Sequence, residues 1–197
     1  MPAREAAFDP DALKFRAVTP SRWADVERLF GPRGACAGCW CMAWRLARKD
    51  WVAGQGAKNR RAFRRIVTSG SKPGVLAYHG KEPIGWCAVA PRGEYVALAR
   101  SRVLAPVDDR PVWSISCLFV SRPYRGRGVS VRLLRAAVEL AAKQGASLVE
   151  GYPTRPFTEK APDAFLWTGT PSAFVEAGFE EVARRTETRP IMRCACA

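Results

Sequence analysis

Arg125-Gly126-Arg127-Gly128 carries the most specific chemistry in the chain. It follows VWSISCLFV (112–120), an apolar and β-branched run of buried-strand type. It precedes 129–144, where Val131, Leu134, Val138 and Ala141 recur at helical spacing. Gly145 is placed to stop that helix in a left-handed cap, and ASLVEG (146–151) reads as the next strand. Strand, glycine turn, helix and strand in this order aim unpaired amide N–H groups and a helix N-terminus at one spot, where an anion is held. Arg125 and Arg127 would add charge-assisted donors to a phosphate there. The chain has no GxxxxGK followed by Ser or Thr, so the turn is not a P-loop. Val131 stands where the third glycine of GxGxxG belongs. Glu150, however, ends the next strand, at the place of a ribose-binding acid, which keeps a dinucleotide reading open.

The same residues resemble the acyl-CoA-binding motif of the GNAT acyltransferase superfamily: Arg or Gln, two free positions, Gly, one free position, then Gly or Ala. Arg125 and Gly128 match, and Ser130 replaces the last small residue. FVSRPYRGRG upstream is similar to the family's approach to the motif, and AFVEAGFEEVARR (173–185) resembles its second signature, a short helix ending in Gly-Phe before a strand. CWCMAWR (39–45) is similar to a segment of a bacterial GNAT-like branch. The resemblance spans about Phe15 to Met192. It implies a single α/β (α+β) domain, with a mixed, mostly antiparallel sheet whose central strands splay apart and are flanked by helices. It also implies acetyl-CoA or another acyl-CoA as donor and a small-molecule amine, a specialised metabolite or antibiotic among the candidates, as acceptor. Leu118, Phe119 and Val120 would pair with the pantetheine through their backbone, and the Leu118 N–H would face the oxyanion. Arg125, Gly126, Arg127, Gly128, Val129 and Ser130 would hold the phosphates. Trp40, Met42, Trp44 and Arg45 would form the acceptor wall, by stacking or cation–π contact. An alternative is that Trp40 and Trp44, four apart, form one buried helical face.

Acyl transfer to an amine needs a placed thioester, a donor to the oxyanion and an uncharged amine. Here the chain departs from the family pattern. Residues 112–120 contain no carboxylate, and Phe174 stands where many relatives carry a thiolate-protonating tyrosine. Glu150 and Tyr152, alternating onto one strand face, are the candidate substitutes for base and acid. Asp108 and Asp109 fit turn capping better, and Cys117 fits a core position better than a nucleophile. A thiolate can leave unaided, so proximity alone could supply roughly 7–11 kcal/mol of the barrier reduction.

A net charge of +14 favours polyanionic or phosphorylated partners. With the basic face Arg60, Arg61, Arg64 and Arg65, it motivates two further readings: a transferase with an aminoacyl-tRNA donor, and a non-catalytic module binding acyl-CoA or nucleic acid. A homodimer is among the assemblies admitted. The seven cysteines suit reduced thiols and a cytoplasmic setting. Neither the CxxCxC at 36–41 nor Cys194 with Cys196 has the regular spacing of a zinc site, so no metal is expected. No apolar run reaches spanning length, and no membrane partner is expected. Residues 1–13 read as a flexible arm before a domain at 14–197. Within that domain, strands are expected at 15–18, 75–80, 82–91, 180–184 and 189–193 beside the central pair. Helices are expected at 21–30, 57–69 and 172–177, with a helical turn or two in 92–100, and a long loop follows Tyr152.

Overall fold

The computed structural model describes residues 8–155 and 166–196. Seven strands, β1 (Lys14–Ala17), β2 (Gly74–His79), β3 (Glu82–Pro91), β4 (Trp113–Val120), β5 (Leu148–Gly151), β6 (Glu180–Arg184) and β7 (Pro190–Ala195), form one sheet in the order β1-β2-β3-β4-β5-β7-β6. Six helices accompany it: α1 (Trp23–Phe30), α2 (Arg48–Ala53), α3 (Ala57–Thr68), α4 (Val96–Ala99), α5 (Val129–Ala142) and α6 (Pro171–Glu176). This is the expected fold class, a single α/β domain with a mostly antiparallel open sheet.

β4 and β5 are the parallel pair, joined by the α5 crossover. Their register runs only from Trp113↔Val149 to Ile115↔Gly151, while β4 continues to Val120. Beyond Ile115 its backbone edge therefore has no β5 partner, which is the expected splay. On the β3 side the register skips Ser116, because Ala88 pairs with Cys117 and Val89 with Ile115. That extra residue resets the alternation of the strand. Ile115 and Leu118 then both join the core under α5, while Cys117 and Phe119 turn to the opposite face.

α5 is amphipathic as its spacing predicts, burying Val131, Leu133, Leu134, Ala137, Leu140 and Ala141 on the sheet. A Leu→Ala change there would cost about 2–5 kcal/mol. Gly145 has φ 87°, and the Ala146 N–H returns to the Ala141 carbonyl, so the left-handed stop forms. The opposite face is covered by α1 and α3, where Trp23, Phe30, Phe63 and Trp86 pack tilted, stacked or edge-on.

Three expectations change. Residues 8–13 are not a loose arm: Leu13 is buried, the Phe8 ring lies 5.5 Å from His79 and from Tyr124, and Asp11 pairs with Arg132 at 2.5 Å. Residues 1–7 lie outside the described residues, as do 156–165 of the long loop. Trp40 and Trp44 do not share a helical face, since Ala35, Ala37, Trp40 and Cys41 all have positive φ and break any helix. The helix expected from residue 21 begins at Trp23, after a 3-10 turn at Pro20–Arg22.

Candidate functional site

Gly126 (φ 68°) and Gly128 (φ 74°) turn the chain from β4 into α5 through conformations that L side chains rarely adopt. Gly128 is the N-cap of α5 and contributes no side chain, and the first turn of the helix has no acidic residue. The first-turn amide N–H groups have no intrahelical acceptor, and the helix dipole adds to their pull on an anion. A Cβ on Gly128 would stand 3.2 Å from the movable end of Arg132, Nη1, so the left-handed φ rather than lack of space is what favours glycine there. Arg125 Nε donates to the Val120 carbonyl at 2.9 Å, which ties the loop to the end of β4. Arg127 does not join the cavity: its guanidinium lies over the Phe8 ring, 5.2 Å from the centroid. That corrects the expected role of its side chain as a phosphate donor, while its amide stays in the turn.

From this loop a cavity of about 640 Å³ runs along the free edge of β4. Tyr124, Arg125, Gly126, Gly128, Val129 and Ser130 line one end, and Leu118, Phe119 and Val120 the middle. Cys36, Cys39, Cys41, Ala43, Trp51 and Cys117 also line it. Leu166, Trp167, Gly169 and Thr170 close it from the β5 side. The Leu118 N–H, the expected oxyanion donor, already donates to the Trp167 carbonyl at 2.7 Å. Gly169 permits this approach, because a Cβ there would meet Leu118 Cδ1 at 2.8 Å and Phe174 Cε2 at 2.9 Å. Phe174 is itself a core residue, 4.9 Å from the Phe179 ring.

Glu150 and Tyr152 flank Gly151, the last β5 residue paired with β4 before the splay, and sit in a closed polar network. Glu150 is 0% exposed: Oε1 accepts from Tyr152 OH at 2.7 Å and from Arg92 Nη1 at 3.1 Å, and Oε2 accepts from Arg193 Nε at 2.8 Å. Arg92 Nη1 also reaches the Tyr152 hydroxyl at 2.5 Å, and Ser114 Oγ lies 2.8 Å from it. Arg193 holds Asp108 in a two-pronged pair at 2.7 and 3.1 Å. This holds the Asp108 carboxyl below the usual range, while burial and the Glu150 charge push the Tyr152 hydroxyl up. Neither Glu150 nor Tyr152 lines the cavity.

An anion loop, a free strand edge and one cavity joining them are what a long phosphorylated thioester needs. The sequence model of the acetyltransferase (GNAT) family matches residues 40–167. The chain belongs to the GNAT acetyltransferase family. Its donor is accordingly an acyl-CoA, and it is an N-acetyltransferase. No curated protein matches the sequence. Several solved structures share the fold. PaiA N-acetyltransferase from Thermoplasma acidophilum, in complex with coenzyme A, has 15% identity and a TM-score of 0.51 over 93% of this chain and 98% of that one. The aminoglycoside enzyme AAC(6')-Ib, in complex with ribostamycin and coenzyme A, has 21% identity and a TM-score of 0.53 over 94% of each chain. A GNAT acetyltransferase from Listeria monocytogenes has 8% identity and a TM-score of 0.55 over 93% of this chain and 94% of that one.

In this GNAT acetyltransferase the expected acceptor wall is only partly where the sequence suggests. Trp40 and Met42 are corrected to core positions, 4% and 3% exposed, with Trp40 packed on Trp23 and Phe30. Trp44 does approach the cavity's closing segment, its ring 5.8 Å from that of Trp167. Arg45 is buried, paired with Glu94 at 2.5 Å and stacked over Tyr95. Trp51, Trp167 and the thiols line the cavity without having been singled out as wall residues. A tryptophan in a segment without periodicity has no face that spacing can assign. Burial pushes the Cys39 thiol up to about 11 and Cys41 well above its ordinary value, so both are held as neutral thiols. Among the described residues no group of three or more Cys, His, Asp or Glu is placed to hold a metal, and no helix is long and apolar enough to cross a membrane. On the basic helix α3, Arg60 bonds Glu27 and Arg64 lies over the Trp23 ring.

Proposed function

We propose that the protein moves the acetyl group of acetyl-CoA to the amine of a small molecule held at the Trp44–Trp167 end of the cavity. The supporting observation is the single cavity that joins the glycine turn, the free edge of β4 and this aromatic end. The pyrophosphate sits on the amides of Gly126–Ser130, and the pantetheine continues the sheet beside Leu118–Val120. The thioester displaces the Trp167 carbonyl, so the Leu118 N–H passes to the thioester oxygen, where the negative charge develops. The neutral amine attacks the carbonyl carbon, the C–S bond breaks, and the coenzyme thiolate leaves and takes up the proton the amine loses. Glu150 and Tyr152 act by holding Arg92, Arg193 and Ser114, and thereby the β4–β5 seam, at a fixed geometry. This reading gives most of the rate to positioning.

The test is calorimetric. Acetyl-CoA is expected to bind the wild type, and binding is expected to collapse in Gly128→Glu, where a carboxylate meets the pyrophosphate at a left-handed position. Unchanged affinity in a folded Gly128→Glu variant would remove the assignment of the phosphate site.

A further inference from the structure

Cys117 sits where β4 changes face. The one-residue slip at Ser116 interrupts the alternation, so Ile115 stays under α5 while Cys117 turns, with Phe119, to the face covered by α1 and α3. There Cys117 is partly buried and lines the cavity, whereas Cys87 on the neighbouring strand is sealed in the core. Cys36, Cys39 and Cys41 line the same cavity, so four thiols meet in the space beside the free edge of β4. Cys39 and Cys41 are held as neutral thiols, which makes them donors rather than nucleophiles.

Two neighbours equip the Cys117 sulfur to react with a carbonyl. The first is the next amide in the chain. The Leu118 N–H already holds a carbonyl, that of Trp167, at 2.7 Å, which marks the place a thioester oxygen would take. A donor so placed stabilises the charge that forms on a carbonyl oxygen under attack. Covalent connectivity keeps the sulfur of one residue within roughly 5 Å of the following amide nitrogen. The second neighbour is Cys41. Trp86 Nε1 donates to its sulfur at 2.8 Å, and its own S–H is left to donate to the Cys117 sulfur, with which it is hydrogen-bonded. Thiolate is the form of cysteine that attacks, and a donor on the sulfur is how a thiolate is held.

We infer that Cys117 is a self-acetylation site: with acetyl-CoA bound and no amine present, its sulfur takes the acetyl group. The Cys117 thiolate attacks the thioester carbonyl and forms a new C–S bond. The C–S bond to coenzyme A breaks, and the coenzyme thiolate leaves and takes up the proton that Cys117 gave up. One thioester replaces another, so the step needs no oxidant, and excess coenzyme A runs it backwards. The inference rests on the donor reading above and adds a second nucleophile to the same cavity; direct transfer to an amine stands beside it.

The experiment incubates the full chain with acetyl-CoA and without amine, the thiols kept reduced by a phosphine, and follows the intact mass. One acetyl group per chain is expected, with one equivalent of coenzyme A released. Peptide mapping should place it on Cys117, and neutral hydroxylamine or excess coenzyme A should remove it, as for a thioester and not a lysine amide. Cys117→Ala should lose the hydroxylamine-sensitive acetyl group while still binding acetyl-CoA. At saturating acetyl-CoA, Cys41→Ala should slow the labelling by about 2–10-fold, the size of one lost hydrogen bond, and Cys41→Ser, which keeps a donor, should recover it. Wild type that binds acetyl-CoA in the calorimeter but gains no thioester overturns the inference and leaves the donor reading standing. An acetyl group spread over Cys36, Cys39 and Cys41 overturns it too, as does equal labelling of a folded Gly128→Glu variant. If Cys117→Ala does not fold, the position mapped in wild type decides. Absence of acetyl-CoA binding takes down both readings.

Discussion

Replacing Glu150 by Gln separates a proton-transferring carboxylate from one that holds the sheet together. Both oxygens of Glu150 are engaged, one by Arg92 and Tyr152 and the other by Arg193, and the side chain is sealed from solvent. Glutamine keeps one acceptor oxygen and turns an NH₂ group toward a donor, so at least one charged hydrogen bond is lost and a donor faces a donor. Breaking a buried ion pair from one side costs about 3–5 kcal/mol. The lower end applies here, because Arg193 keeps its two bonds to Asp108 and Arg92 keeps the Leu104 carbonyl at 2.5 Å. At roughly 2–4 °C per kcal/mol for a chain of this size, Tm should fall by about 6–12 °C. Differential scanning calorimetry reads the fall, and steady-state turnover well below the transition reads the chemistry. Turnover is expected to stay within about threefold of wild type, far less than the 10²–10⁴-fold that general-base catalysis contributes. An unchanged Tm, with turnover down by more than about tenfold and acetyl-CoA affinity intact, would refute this reasoning and make Glu150 the base.

Two further outcomes follow from the cavity. If the thioester displaces the Trp167 carbonyl from Leu118, acetyl-CoA should change the intrinsic fluorescence of Trp167 with the calorimetric affinity. That signal should vanish in Trp167→Phe; a titration with full binding and no fluorescence change would show that the carbonyl stays in place. The Cys39 thiol, pushed up to about 11, makes the native state hold a proton that an unfolded chain, with thiols near 8.5, gives up first. The folded protein then binds more protons, so stability falls as pH rises from about 8.5 to 11 and is unaffected below that window. Denaturant unfolding across that range should show a smaller loss in Cys39→Ala than in wild type, and identical losses would discount the buried thiol.

The fold and the glycine turn that opens the cavity were largely legible in the order of residues. The glycines at 126 and 128, the helical spacing after them and the apolar run before them are local features, and each specifies a local conformation. The hairpin around Gly80-Lys81 and the stop at Gly145 are local in the same way. The acceptor half was not legible. Trp40 and Met42 looked like wall residues and are core, because left-handed residues between 35 and 41 redirect the chain. Trp51 and Trp167, far apart in sequence, meet at one cavity.

Glu150 shows the same division at a single residue. Sequence places it at the end of a strand, on one face with Tyr152, and that face is correct. Its partners Arg92, Arg193 and Asp108 come from three distant segments. Nothing in their spacing announces that they converge. A strand's alternation is set by its own backbone, so sequence determined which side Glu150 faces. What meets it there depends on how β4, β5 and β7 are laid side by side and on the one-residue slip at Ser116. Those are long-range pairings, and only the folded sheet decided whether the carboxylate is free to take a proton or is already held.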